Sequence, residues 1–267
     1  MKIYDSQISK EKIKELNSSL YNTKITQSTI ECRFEPQFSL LDRRGEVALA
    51  LKEVFPDDVE DYDVESDLEF EYGLDSIKIN SPNTITQSCV ELARAYFSRG
   101  NIVPTTLPHF SRIAIEYLDT YEKIFPNIKK LERFGFRIKQ QNKIPEEKIK
   151  SCKNKFSNEF LNLGMFASKL KNKNTNNNIK FNEFAVIFSL KETIADNDYI
   201  SDYHIKITIS LSGIDNSYLK SDMDFYLKDD EKKDKPILFK NAKIFCKRVV
   251  ERADEIHKLI FEVITDV

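Results

Sequence analysis

The chain has 267 residues, of which 40% are hydrophobic and 31% charged, with a formal net charge of -2. That balance describes a folded chain able to bury a substantial core as one large domain or two small ones, with no overall pull toward nucleic acid. Six dispersed glycines exclude the clustered-glycine loops of dinucleotide and P-loop sites, and four scattered cysteines exclude a zinc knuckle or a disulfide framework.

The first residues turn polar almost at once, and no apolar run approaches the roughly 18–20 residues that a membrane span needs. The expected location is the cytoplasm, with no membrane partner. Ser9 suits the N-cap of a first helix carrying Ile13, Leu16 and Leu20 on one face. "STIECRFEP" alternates Ile30, Cys32 and Phe34 with polar residues, which predicts a strand stopped by Pro36. Leu40, Val47, Leu51 and Val54 have helical spacing, and Pro56 ends that helix.

Phe55 to Tyr72 holds nine carboxylates and no Lys or Arg. From Asp63 onward Val64, Leu68, Phe70 and Tyr72 share one parity, while Asp63, Glu65, Asp67, Glu69 and Glu71 share the other. Strand side chains alternate between faces, so the pattern predicts a strand with its apolar set inward and an outward acidic row. Ser76–Asn80 returns as a second strand after a turn at Gly73. Thr86–Val103 fits either helix or strand, and the helix is preferred, ending at Gly100.

Phe110, Ile113, Tyr117, Tyr121 and Ile124 predict a helix, and "LERFGFRIKQ" a strand burying Phe134, Phe136 and Ile138 while exposing Arg133, Arg137 and Lys139. Pro145 opens a basic helix running to about Phe160. Residues 169–180, rich in Lys and Asn, read as a loop or linker between a region 1–168 and a region 181–267, the two expected to form one compact unit. Three strands follow. "FNEFAVIFSL" is apolar on both faces and so expected to be central, and "DYHIKITISL" and "YLKSDMDFYL" form a hairpin. A helix from about Pro236 to Ile264, about 40 Å long, closes the chain. No internal repeat is legible. The fold class is α+β, with antiparallel sheet packed against several helices and a long C-terminal amphipathic helix.

"ECRF", "LERFGFRI", "SDMDFYL" and "EIHKLIFEVITD" together resemble a sporadically distributed family of uncharacterised bacterial cytoplasmic proteins of about this length. The chain departs from the family where "IKQQN" replaces its aromatic-Ile-Asn. The resemblance implies an α+β cytoplasmic protein from variable loci of the antiphage-defence or toxin–antitoxin kind, and brings no catalytic residues.

Charge is segregated along the chain. Glu53–Asp75 is acidic and Lys123–Lys180 basic. The acidic row Asp63, Glu65, Asp67, Glu69 and Glu71 is the candidate surface for a partner protein, expected to be encoded nearby. An alternative within the molecule is neutralisation by Arg133 and Arg137 from a neighbouring strand. Arg133, Arg137, Lys139, Lys148 and Lys150 are candidate phosphate-binding residues, making nucleic acid the second reading, although Phe134 and Phe136 point away from the arginines.

A third reading is a metal-dependent enzyme. The most compact hairpin register sets His204 opposite Asp224 and Lys206 opposite Asp222, a cluster that suits a metal or a proton shuttle, or else plain cross-strand pairs. His109 reads as a surface or capping residue, and His257 as a half-buried packing residue. "FPDD" lacks the neighbouring acid-x-Lys strand of a nuclease, since Glu146 and Lys148 fall on a predicted helix. The leading expectation is a non-enzymatic protein-binding or accessory component with no cofactor, no catalytic residue and no metal.

Overall fold

The computed structural model describes residues 23–56, 68–81, 85–100, 107–156, 178–182, 185–196, 199–212, 217–228 and 236–265. The predicted first helix, the acidic positions Asp63, Glu65 and Asp67, and most of the Lys/Asn-rich segment lie outside them.

The strands are β1 (Thr23–Arg33), β2 (Glu69–Tyr72), β3 (Ser76–Ser81), β4 (Thr86–Glu91), β5 (Arg94–Gly100), β6 (Arg133–Lys143), β7 (Asn178–Asn182), β8 (Ala185–Asp196), β9 (Tyr199–Ser212) and β10 (Tyr218–Lys228). The helices are α1 (Arg44–Glu53), α2 (Leu107–Ile124), α3 (Ile149–Asn154) and α4 (Phe239–Thr265), with short 3₁₀ turns at Phe38–Leu40 and Glu146–Lys148. All ten strands join one antiparallel sheet in the order β2-β3-β4-β5-β1-β6-β10-β9-β8-β7.

That order contains a repeat the sequence hides. A strand, a 3₁₀ turn and short helix, a four-strand meander and a long helix follow one another from β1 to α2, and again from β6 to α4. In each half the first strand pairs with the last strand of its own meander, and β1 and β6 join the halves at the centre.

One sheet face carries the helices. Ile30, Cys32, Phe97, Phe134, Phe136, Ile138, Met223 and Phe225 are fully buried there, as are Phe110, Tyr117 and Tyr121 of α2 and Phe245, Val249 and Ile256 of α4. Phe97 stacks on Tyr117 at 4.1 Å, while Phe134 meets Phe245 edge-on at 5.9 Å. Lys243 of α4 bridges to Asp119 at 2.5 Å and Glu122 at 2.7 Å on α2, tying the two helices side by side. Each long helix thus buries the stripe expected from its 3.6-residue spacing.

Several expectations change. The described part of the stretch from Thr86, residues 86–100, is not a helix: it holds β4 and β5, joined at residues 92–93. A two-residue hairpin loop normally announces itself with Gly, Asn or Asp, and this one has neither. The apolar "FNEFAVIFSL" is not central either, because Phe181 and Asn182 end β7 at the sheet edge and residues 185–190 start β8 beside it. On β2 both apolar residues stay uncovered, Phe70 at 38% and Tyr72 at 57% exposure. They share the helix-side parity of Ile79 and Ile77, their β3 partners, but they lie at the very edge of the sheet.

Candidate functional site

The second sheet face has no helix from the two long elements and carries the polar parity of every central strand. One row of directly paired residues crosses it: Glu71, Lys78, Cys89, Tyr96, Glu31, Gly135, Tyr226, His204, Lys191. Gly135 sits mid-row without a side chain, so the surface dips between Glu31 and Tyr226. The Arg133 guanidinium lies across this gap, where a Cβ on Gly135 would meet its terminal nitrogen at 2.9 Å. It also lies 4.8 Å over the Tyr226 ring. The depression widens into a groove of about 430 Å³ over β4, β5, β1, β6 and β10.

A second row, one pleat along, sets Arg94 beside Arg33, Arg33 beside Arg133, and Arg133 beside Lys228. Like charges directly opposite one another destabilise a sheet. Glu31 relieves this row. It accepts Arg33 at 2.7 Å and Arg133 at 3.0 Å, with Arg94 at 3.6 Å. Arg94 also pairs with Glu91 at 2.5 Å, Arg133 with Asp224 at 2.9 Å, and Arg137 with Asp222 at 2.6 Å. Burial pushes the Asp224 carboxyl above the usual carboxylate range, with Arg133 and Arg137 pulling the other way. The hydrogen bond to Asp222 raises Arg137, so that guanidinium stays charged.

The far end of the groove adds neutral hydrogen-bonding groups beside the β6 cations. Gln27 donates to Ser98 Oγ at 3.0 Å, Thr29 and Ser98 share a hydrogen bond of 2.8 Å, and Tyr96 donates to Gln87 at 2.6 Å. Lys139 closes that end, donating to Gln27 at 2.8 Å.

The candidate phosphate-binding set therefore divides. Arg133, Arg137 and Lys139 line the groove. Lys148 and Lys150 belong to the 3₁₀ turn and α3, whose Cys152 reaches the Ile264 carbonyl of α4 on the helix side. Neutralisation of the acidic strand by Arg133 and Arg137 is overturned, since β3, β4, β5 and β1 separate β2 from β6. Glu71 instead bridges to Lys78 at 3.0 Å on its own hairpin. The aromatic element missing from β6 itself comes from neighbouring strands, as Tyr96 and Tyr226. No local pattern in the sequence marks Glu31, Arg33, Arg94 or the two tyrosines as companions of Arg133, because four strands far apart in sequence bring them together.

The β9–β10 register also differs from the expected one by two residues. His204 lies opposite Tyr226 and stacks on it at 5.1 Å, and Lys206 lies opposite Asp224. Apolar alternation fixes only the parity of a register, and both registers satisfy it. His204 and Asp224 are thus not cross-strand partners, and Asp224 engages Arg133 instead. Among the described residues, no three or more His, Cys, Asp or Glu side chains converge as metal ligands. His109 is half-buried beside Arg112 on α2, at 3.1 Å. His257 is buried, with Nδ1 3.0 Å from Ser221 Oγ, and burial pulls it down to about 4.

The acidic edge is the second candidate. Glu69, Phe70, Glu71 and Tyr72 are all exposed on a strand with one neighbour among the described residues, and Leu74 beyond them is 90% exposed. Arg44 of α1 donates to the carbonyls of Gly73 and Leu74, pinning the turn that presents this strand.

These features define an α+β protein with a doubled meander, helices on one sheet face and a polar groove on the other. No family model matches the chain, and no curated protein matches it. The di-domain ARO/CYC BexL from the BE-7585A biosynthetic pathway is a similar solved structure at 10% identity, with 91% of this chain and 98% of that chain covered and a TM-score of 0.25. A likeness that loose carries no argument about function. Among the described residues, no helix is long and apolar enough to cross a membrane.

Proposed function

We propose that the protein is a non-enzymatic binding component that docks a partner protein on the β2 edge. The observation that carries this reading is an edge strand with Phe70 and Tyr72 uncovered on one side and Glu69 and Glu71 on the other. An edge strand offers unpaired backbone N–H and C=O groups to an incoming strand. The occupant is an extended segment with apolar side chains toward the helix side and Lys or Arg toward the acids. A second copy of this chain fits poorly, because β2 paired with β2 would set carboxylates against carboxylates. The resemblance to proteins of defence or toxin–antitoxin loci adds that the partner is encoded beside this gene, with this chain as an accessory or neutralising component of the cytoplasm.

Co-expression with the products of the flanking genes, followed by hydrogen exchange on any complex, tests this reading. Slowed exchange at residues 69–72 is expected, together with loss of the complex in Phe70→Ser/Tyr72→Ser while the thermal midpoint holds. A complex unaffected by that double change, or the failure of every flanking product to bind, would sink it.

A further inference from the structure

The polar groove on the opposite sheet face has no part in that docking, and its chemistry is different. We infer that it is a binding site for a phosphate-bearing small molecule of nucleotide size, with its phosphate over Arg94, Arg33 and Arg133 and its uncharged portion toward Gln27, Thr29 and Ser98.

Three observations support this independently of any partner. The first is the cation row, in which Arg94, Arg33, Arg133 and Lys228 occupy directly paired positions on four adjacent strands. Those strands span roughly 14 Å, and a stable sheet does not ordinarily align like charges in this way. Glu31 holds three of the guanidiniums from one side, and with Arg137 and Lys139 the groove lining carries five cations against the two carboxylates Glu31 and Asp224. Arg133 directs its two terminal nitrogens to Glu31 and Asp224, and Arg94 directs Nε and one terminal nitrogen to Glu91. Arginines held in this manner are fixed in place, so the excess positive charge of the lining faces an anion with little side-chain ordering left to lose.

The second observation is the floor. Gly135 removes one side chain from the centre of the row, and the Arg133 guanidinium lies in the space this leaves, so a cation forms the floor between Glu31 and Tyr226. The third is the match of size and polarity. A groove of about 430 Å³ falls within the range of small-molecule sites, roughly 300–1,000 Å³. Its lining sets the β6 cations Arg133, Arg137 and Lys139 alongside the neutral groups Gln27, Thr29 and Ser98, which suits a molecule with an anionic and an uncharged portion. A nucleic-acid strand would need the cationic character to continue past the groove. Instead Asp222 and Asp224 border it on β10, and Glu91 borders it on β4.

Titration calorimetry of the whole chain with inorganic pyrophosphate, a panel of nucleoside mono- and diphosphates, the parent nucleosides and a twelve-residue oligothymidylate tests the assignment. Binding of at least one nucleotide, in competition with pyrophosphate and without measurable binding of its nucleoside, is expected. Arg33→Glu and Arg94→Glu should each weaken it by roughly tenfold or more, since each removes a charge-assisted contact and adds repulsion. Gly135→Val should weaken it while the far-ultraviolet spectrum and thermal midpoint confirm folding. Lys148→Glu with Lys150→Glu, on the other side of the sheet, should leave it unchanged. Two outcomes overturn the proposal. One is no binding of any phosphate compound at millimolar concentration by protein shown to be folded, or binding indifferent to Arg33→Glu and Arg94→Glu. The other is tight binding of the oligothymidylate alone, which would make the groove a nucleic-acid surface. Phe70→Ser/Tyr72→Ser should bind the nucleotide normally, so failure of the docking reading would not be mistaken for failure of this one.

Discussion

The two halves of the sheet share one order of elements but finish their outer strands differently. In the second half the 27-residue α4 reaches across β10 and β9 to β8, where Arg252 grips Glu192 at 2.6 Å. Glu192 is buried, and Tyr203 of β9 also donates to it. In the first half α2 has 18 residues, and among the described residues every large exposed hydrophobic side chain falls between Phe38 and Ile85. One copy of the motif anchors its meander with an ion pair that needs several partners to offset desolvation. The other leaves apolar surface at its edge. A repeated architecture can thus devote one half to stability and the other to contact.

The sharpest break in that contrast is Arg252→Ala, which leaves the Glu192 carboxylate buried with only Tyr203 as its polar companion. Stability should fall by about 3 kcal/mol, read from urea unfolding, whereas Glu192→Leu with Arg252→Met should recover most of the loss. A small effect of Arg252→Ala would mean that the second half is held by its apolar contacts alone.

The second test is pH, and it also bears on the α4 side. His257 titrates near 4 in the folded chain against an ordinary 6.5, so the folded state resists a proton that the unfolded state accepts. Stability is therefore full above pH 6.5 and declines as pH falls toward 4, by about 3 kcal/mol across that window. His257→Gln should flatten this part of the pH profile. A wild-type profile already flat between pH 6.5 and 4 would contradict the burial argument.

A smaller effect is expected at the join of the halves. Glu31→Gln removes the carboxylate shared by three arginines, and should lower stability by about 1 kcal/mol. The same change should tighten pyrophosphate binding several-fold, because the cation row loses its internal anion. A change in stability without any change in anion affinity would make Glu31 and its arginines a purely structural lattice.

The smallest effect belongs to the open edge. Glu69→Gln with Glu71→Gln should move stability by no more than about 0.5 kcal/mol, since the Glu71–Lys78 pair is exposed. Association with the partner should nevertheless slow and lose its salt dependence. A clear loss of stability with unchanged association would assign these acids to the fold.

Much of the secondary structure was legible because its signals are local. The alternation of Ile30, Cys32 and Phe34, or of Phe134, Phe136 and Ile138, identifies strands, and the spacing from Phe110 to Ile124 identifies α2, through two fixed side-chain periods. Those periods also assign faces, so Arg133, Arg137 and Lys139 were recognisable as the polar side of β6. They fail where the local signal is weak. The β4–β5 turn lacks turn residues, and β2 carries a core-like alternation at an edge where none of the described residues covers Phe70 and Tyr72.

Neighbours are another matter. Which strand lies beside β6, and in which register, depends on how the helices and the ten strands pack together, and alternation permits any register of the right parity. That freedom separated His204 from Asp224 and the acidic strand from Arg133. It also hid the doubled meander, whose halves share an order of elements without a visible repeat of residues. The sequence by itself determined the elements, their buried faces and the segregation of charge. Only the tertiary structure decided that β1 lies between β5 and β6, because long-range strand pairing is set by the packing of the whole core. That placement aligns Arg94, Arg33 and Arg133 and makes the groove.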